Sequence, residues 1–181
     1  MEEVNFWFSI GSTYTYLTVS RIKDIVKKNN ININLKPFNV RTIMLEMDNR
    51  PFPPSKKIKV DHMWRDIQRR AEIYKIVVPS LPVPYPLKNM ELANQIALLG
   101  VNEGWCLEYL ELTYHNWFIN KLPAGEDENL ILTFKKLNMN YEEIKTRALT
   151  NKIEDSLIEE TKIAKSNSLS IKTLSIALER L

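Results

Sequence analysis

Position 12 is where a small polar side chain meets a setting that chemistry could use. The run Val4-Asn5-Phe6-Trp7-Phe8-Ser9-Ile10 is aromatic and β-branched and reads as a buried strand. Gly11-Ser12-Thr13 punctuates it, and from 13 to 28 the apolar residues Tyr16, Leu17, Val19, Ile22, Ile25 and Val26 recur at helical spacing. A hydroxyl between a strand end and a helix start has two uses. It can cap the helix, a contribution of ~1 kcal/mol. Alternatively it stays free and donates to an anion drawn by the unpaired N–H groups and partial positive charge of a helix N-terminus. The uses compete, because a hydroxyl turned to the backbone is not free for a ligand.

The other chemistry-bearing residues each admit a plain reading as well. Lys59 is a solvated charge or a ligand contact, and Asn49 either caps a proline turn or binds. Arg50 could reach a carboxylate, but nothing singles it out. Asp66 is spaced to pair with Arg69 and Arg70 on a helix surface. Trp64 and Tyr85 are core residues or the wall of an aromatic substrate cavity. His62 and His115, the only histidines, fall on separate predicted helices without a CxxC or HExxH partner, so no metal site is expected. Cys106, the single cysteine, reads as a buried thiol. Dithiol redox shuttling needs a second, resolving thiol and is excluded on this chain alone.

These residues sit in a chain of 181 residues, 44% hydrophobic and 26% charged. That suits one domain, or one domain with an insertion, able to bury a core without staples. Only four glycines occur, at 11, 100, 104 and 125, so neither type of glycine-rich phosphate loop is present. A net charge of +3 is too weak a bias for nucleic acid, and Lys56, Lys57, Arg65, Arg69 and Arg70 read as a solvated face. Glu2 and Glu3 stand where a secretory signal would be basic, and no stretch approaches the ~20 apolar residues of a membrane span. The expectation is a soluble, cytoplasmic protein.

A second strand is expected over 31–38, where Ile31, Ile33 and Leu35 alternate. Strand, helix and strand within about 35 residues form a βαβ unit, which makes the strands parallel with a right-handed crossover. Helical patterning follows over 40–47, 56–74, 89–99, 105–118, 128–137, 141–149 and 151–166, with Asp127 and Asn140 as expected caps. Pro51, Pro53 and Pro54 stiffen one loop, and Pro79, Pro82, Pro84 and Pro86 exclude a central strand over 77–87.

The segment Phe6-Trp7-Phe8-Ser9-Ile10-Gly11-Ser12-Thr13-Tyr14-Thr15-Tyr16-Leu17 resembles the first strand and nucleophile-position loop of 2-hydroxychromene-2-carboxylate isomerases and kappa-class glutathione transferases. These are DsbA-like members of the thioredoxin superfamily. Their usual form has Ser-Pro before the aromatic residue, where this chain has Ser12-Thr13-Tyr14. The resemblance continues at Asn49-Arg50-Pro51, at Lys59, His62, Asp66, Arg69, Arg70 and Ala71, at Val83-Pro84-Tyr85-Pro86-Leu87 and at Ala93-Asn94, over about the first 165 residues. It implies an α/β, thioredoxin-like fold over residues 1–39 and 150–181, with a large all-helical insertion over 40–149. Glutathione would bind at the junction, with Ser12 donating to its sulfur and Asn49 and Lys59 touching the tripeptide. The substrate would be a small aromatic molecule, and a homodimer is implied. The activity implied is glutathione-dependent cis–trans isomerisation, in which a thiolate adds to a conjugated double bond, lets it rotate and leaves without net redox change.

The pattern breaks near the end. The family continues past Ala164 with a segment containing a cis-proline, then two antiparallel strands, whereas no proline or glycine follows Gly125 here. On that basis the C-terminal strands are expected to be missing or replaced. Weak glutathione binding follows, and the alternative is a truncated, catalytically inactive thioredoxin-fold protein.

Overall fold

The computed structural model describes residues 2–49 and 56–167. The expectations about residues 168–181, including the missing or replaced strands, lie outside the described residues. Two strands, β1 (Glu2–Phe8) and β2 (Ile31–Pro37), pair in parallel from Glu2↔Ile31 to Phe8↔Pro37. The ladder is extended by the Phe38 N–H, which donates to the Phe8 carbonyl at 2.9 Å. Phe6, Trp7 and Phe8 are all buried, so β1 is covered on both faces. That is why it reads as a continuous apolar run and not an alternation.

The crossover is not the single helix that the periodicity of 13–28 predicts. It is α1 (Thr15–Val19) followed by α2 (Ile22–Asn29), broken at Ser20 and Arg21. Arg21 has φ −126°, its Nε donates to the Leu17 carbonyl at 2.9 Å, and its guanidinium lies 3.5 Å from the centre of the Tyr74 ring. A tertiary stacking contact and a side-chain bond to a helix carbonyl thus replace one turn of helix, which apolar spacing cannot register. As expected, α2 stops at the asparagine pair, with Asn30 in the left-handed conformation and its N–H on the Val26 carbonyl.

Seven further helices follow among the described residues: α3 (Val40–Glu46), α4 (Lys57–Ile73), α5 (Met90–Glu103), α6 (Cys106–Phe118), α7 (Asp127–Lys136), α8 (Tyr141–Ala148) and α9 (Asn151–Ser166). Asn140 caps α8 by accepting from the Glu143 N–H at 3.2 Å. Asp127 departs from expectation. It is the first residue of α7, and its carboxylate accepts from Tyr141 and Lys145 instead of capping. The proline segment carries no strand, and its Leu81–Pro82 and Tyr85–Pro86 bonds are cis.

Helix α5 is the hub, packing against α6, α8, α9 and β2. Small residues make that possible: Ala93, Ala97 and Gly100 are buried, and a Cβ on Gly100 would lie 2.7 Å from the Trp105 ring. On the other side an aromatic cluster binds α1 to α4 and α6. Tyr16 stacks on Phe118 at 4.3 Å, and Trp64 meets Phe118 edge-on at 5.6 Å.

Candidate functional site

The chain leaves β1 through a turn, Ser9 to Ser12, closed by the Ser12 N–H donating to the Ser9 carbonyl at 3.1 Å. Gly11 has φ 146°, a conformation side chains rarely adopt, and a Cβ there would lie 2.7 Å from the end of Met90. The turn is over-determined by buried partners. Asn94 of α5, fully buried, accepts from the Ile10 N–H at 2.8 Å and donates to the Ile10 carbonyl at 3.2 Å and the Met90 carbonyl at 2.8 Å. The Ser9 hydroxyl accepts from the Val40 N–H at 3.2 Å. The Tyr114 hydroxyl of α6 lies 3.3 Å from the Ser9 carbonyl and 3.1 Å from the Ser12 carbonyl. Burial pushes that phenol well above the usual tyrosine range, so it serves as a fixed donor.

The far side of the turn is tied to α4. Thr13 Oγ1 donates to the Met63 sulfur at 3.2 Å, and the Tyr14 hydroxyl donates to Asp66 at 3.0 Å. Asp66 also accepts from Arg70 Nε at 2.9 Å and Arg69 at 3.3 Å, which realises the predicted helix-surface pairing and adds Tyr14 to it. Burial alone would raise the Asp66 carboxyl; hydrogen bonds from Arg70 and Tyr14 outweigh it and hold the group below the ordinary carboxylate range. Tyr14 is pushed up to about 12, first by burial and then by its bond to Asp66.

Within this frame Ser12 is half-buried, and its hydroxyl bonds to no described residue. It therefore does not cap α1, which lacks a side-chain cap altogether. The N–H groups of Thr13 and Tyr14 also find no acceptor among the described residues. Three consecutive residues thus present unspent donors ahead of α1. Helix α1 is only five residues long, so the turn does not sit at the positive end of a long helix.

The remaining expected site residues are placed less tightly. Lys59 is exposed in the first turn of α4 and forms no ion pair with a described residue. Asn49 is exposed, its N–H on the Met44 carbonyl at 2.7 Å. Trp64 is buried and packs edge-on against Tyr85 at 6.0 Å, while Tyr85 is half-buried. Arg50 lies outside the described residues. Cys106 is buried and burial pushes its thiol far up, which removes it from nucleophilic chemistry. Among the described residues no group of three or more His, Cys, Asp or Glu could hold a metal. No described helix is long and apolar enough to cross a membrane. Sequence reasoning gave no role to Asn94, Tyr114 or Tyr14. The signal for Asn94 was present in the Ala93-Asn94 pair, a polar residue on an otherwise apolar helix face.

Known proteins share this architecture. A 2-hydroxychromene-2-carboxylate isomerase superposes with a TM-score of 0.76 at 18% identity, over 92% of this chain and 81% of the isomerase. The cytosolic disulfide reductase DsbM from Pseudomonas aeruginosa superposes at 0.64 and 8% identity, over 93% of this chain and 80% of DsbM. The same reductase with GSH superposes at 0.64 and 10% identity, over 93% and 82%. At such identities these structures share the fold. No curated protein matches the sequence. The family model for the DSBA-like thioredoxin domain matches residues 3–170, and the chain belongs to that family.

Proposed function

We propose that the protein binds glutathione beside Ser12 and catalyses a glutathione-dependent cis–trans isomerisation of a small aromatic substrate. The observation that carries this reading is the set of donors on Ser12, Thr13 and Tyr14 without a partner among the described residues, on a turn whose Ser9 and Ile10 groups are held by buried partners. Glutathione, when bound, supplies a thiolate able to add to a conjugated double bond and leave again. The chain's part is to lower the proton affinity of that sulfur. A free thiol has a pKa of about 8.5, so each unit of depression raises the thiolate fraction at neutral pH severalfold. Ser12 is a donor in this reading, not a nucleophile. Asn49 and Lys59 contact the tripeptide, and Trp64 and Tyr85 border the aromatic substrate. A relative of the same fold has been solved with GSH, which supports the choice of cofactor. A cytosolic setting and a homodimer belong to the same reading.

The isomerase is favoured over disulfide exchange because the turn offers a serine, and the one cysteine is buried with a raised pKa. Ultraviolet titration of the thiolate on mixing with glutathione tests the proposal. The expected result is a bound thiol titrating below free glutathione and returning to the free value in Ser12→Ala. Glutathione-dependent turnover by a folded Ser12→Ala protein equal to the parent would overturn the reading.

A further inference from the structure

A cavity of about 470 Å³ lies between α3, α5 and α9, and Ser12 does not line it. Ile43, Leu157 and Ile158 give it an apolar wall. Gln95 of α5 also lines it, with only 6% of its surface exposed, and its amide bonds to no described residue. The contrast with other buried amides is sharp. Asn94 next to it, and Asn116 and Asn129 on α6 and α7, all have hydrogen-bond partners. A carboxamide has two donors and two acceptor lone pairs, and unlike Arg41 Nε, Thr113 Oγ1 and Glu160 Oε2, which are fully enclosed without a partner among the described residues, the Gln95 amide keeps exposed surface on the cavity side. At the rim the two lysines are already paired, Lys165 with Glu46 at 2.5 Å and Lys162 with Glu159 at 3.3 Å. Glu91 and Glu154, also on the rim, pair with no described residue. The charge left without a partner there is negative.

We propose that this cavity is a binding site for a small amphiphilic amine. The apolar body rests on Ile43, Leu157 and Ile158, a hydroxyl or amide within that body bonds Gln95, and the ammonium group faces Glu91 and Glu154. An apolar pocket with one convergent polar group and a charged mouth fixes both the orientation and the class of its ligand.

Three probes of one shape test this on the full chain by titration followed with NMR. Tyramine carries the amine and the hydroxyl, phenethylamine lacks the hydroxyl, and 3-(4-hydroxyphenyl)propionate reverses the charge. Tyramine is expected to bind most tightly and to shift the Gln95 side-chain amide and the Ile158 methyl signals. Loss of the hydroxyl should weaken binding about five-fold, the worth of one neutral hydrogen bond. Charge reversal should weaken it by at least about five-fold. Gln95→Leu should make the two amines equal. Ile158→Trp, at a position 48% exposed and so tolerant of change, should block binding of all three while the melting temperature stays close to that of the parent. Equal binding of amine and carboxylate, shifts mapping away from Gln95, or no binding of tyramine at millimolar concentration would each overturn the proposal. Glutathione titration of the same samples reads the Ser12 site separately, so either site can fail without the other.

Discussion

The two flanks of the proposed site, the Ser12 turn on one side and Asn49 with Lys59 on the other, are built in opposite ways. The Ser12 turn is locked by Asn94, Tyr114 and the Ser9–Val40 bond, whereas Asn49 and Lys59 project into solvent with no side-chain partner among the described residues. A locked donor acts on a ligand without further ordering, which is the arrangement electrostatic stabilisation requires. An exposed lysine must give up side-chain freedom of up to ~2 kcal/mol before its charge counts. In the proposed reading the chemistry therefore rests on the first flank, and the second trims affinity. Substitutions can break or sharpen that contrast.

The largest effect is expected at Asn94. In Asn94→Leu the Ile10 N–H and carbonyl lose their buried partner, and each orphaned group costs ~1–3 kcal/mol. A total of about 3–5 kcal/mol should lower the melting temperature by roughly 6–20 °C in a chain of this size. Any protein that still folds should have lost the depressed thiol pKa, because the Ser12 turn is no longer fixed. A melting temperature within a few degrees of the parent would show that the turn holds itself.

Ser12→Ala should separate function from stability. The hydroxyl has no partner among the described residues to lose, so the melting temperature should hold within the effect of ~0.5 kcal/mol typical of a neutral surface change. Bound glutathione should meanwhile titrate about one unit higher, the equivalent of a lost hydrogen bond to the charged form. Calorimetry and thiolate absorbance on one sample check both halves.

Much of this arrangement was legible from the residues, and the exceptions share a cause. The βαβ opening and the helix series followed from period, punctuation and family resemblance, all of which are local in sequence. The α1–α2 break was not legible, because it depends on Arg21 reaching Tyr74, 53 positions along the chain. Asp127 was misread as a cap for the same reason: Tyr141 and Lys145 compete for its carboxylate. The supports of the Ser12 turn come from 84 and 102 residues away, so local patterning could place the turn but not what holds its backbone.

Tyr14 and Asp66 join the locked turn to α4, and their titration sets where that joint holds. Asp66 has a lowered folded pKa, so its contribution is present above the unfolded value of about 3.9 and fades as pH falls through the folded one. Tyr14 has a raised one, so its contribution is complete below the unfolded value of about 10 and is lost as pH rises through about 12. Tyr14→Phe should cost about 1 kcal/mol at neutral pH and flatten both edges of the stability profile. An unchanged profile would show that Asp66 is held by Arg69 and Arg70 alone.

The smallest effects belong to the open flank. Lys59→Ala and Asn49→Ala remove exposed side chains that bond to no described residue, so stability should move by less than ~0.5 kcal/mol. Glutathione affinity should fall a few-fold in Lys59→Ala, and the difference from the parent should shrink as salt rises, since an exposed ion pair contributes about 0.2–1 kcal/mol and is screened. Asn49→Ala should show a similar loss that salt does not change, because a neutral amide contact is not screened. Titrations at low and high ionic strength distinguish the two. If instead either variant abolished binding while Ser12→Ala left it intact, the roles of the two flanks would be reversed, with recognition carried by residues that order only around their ligand.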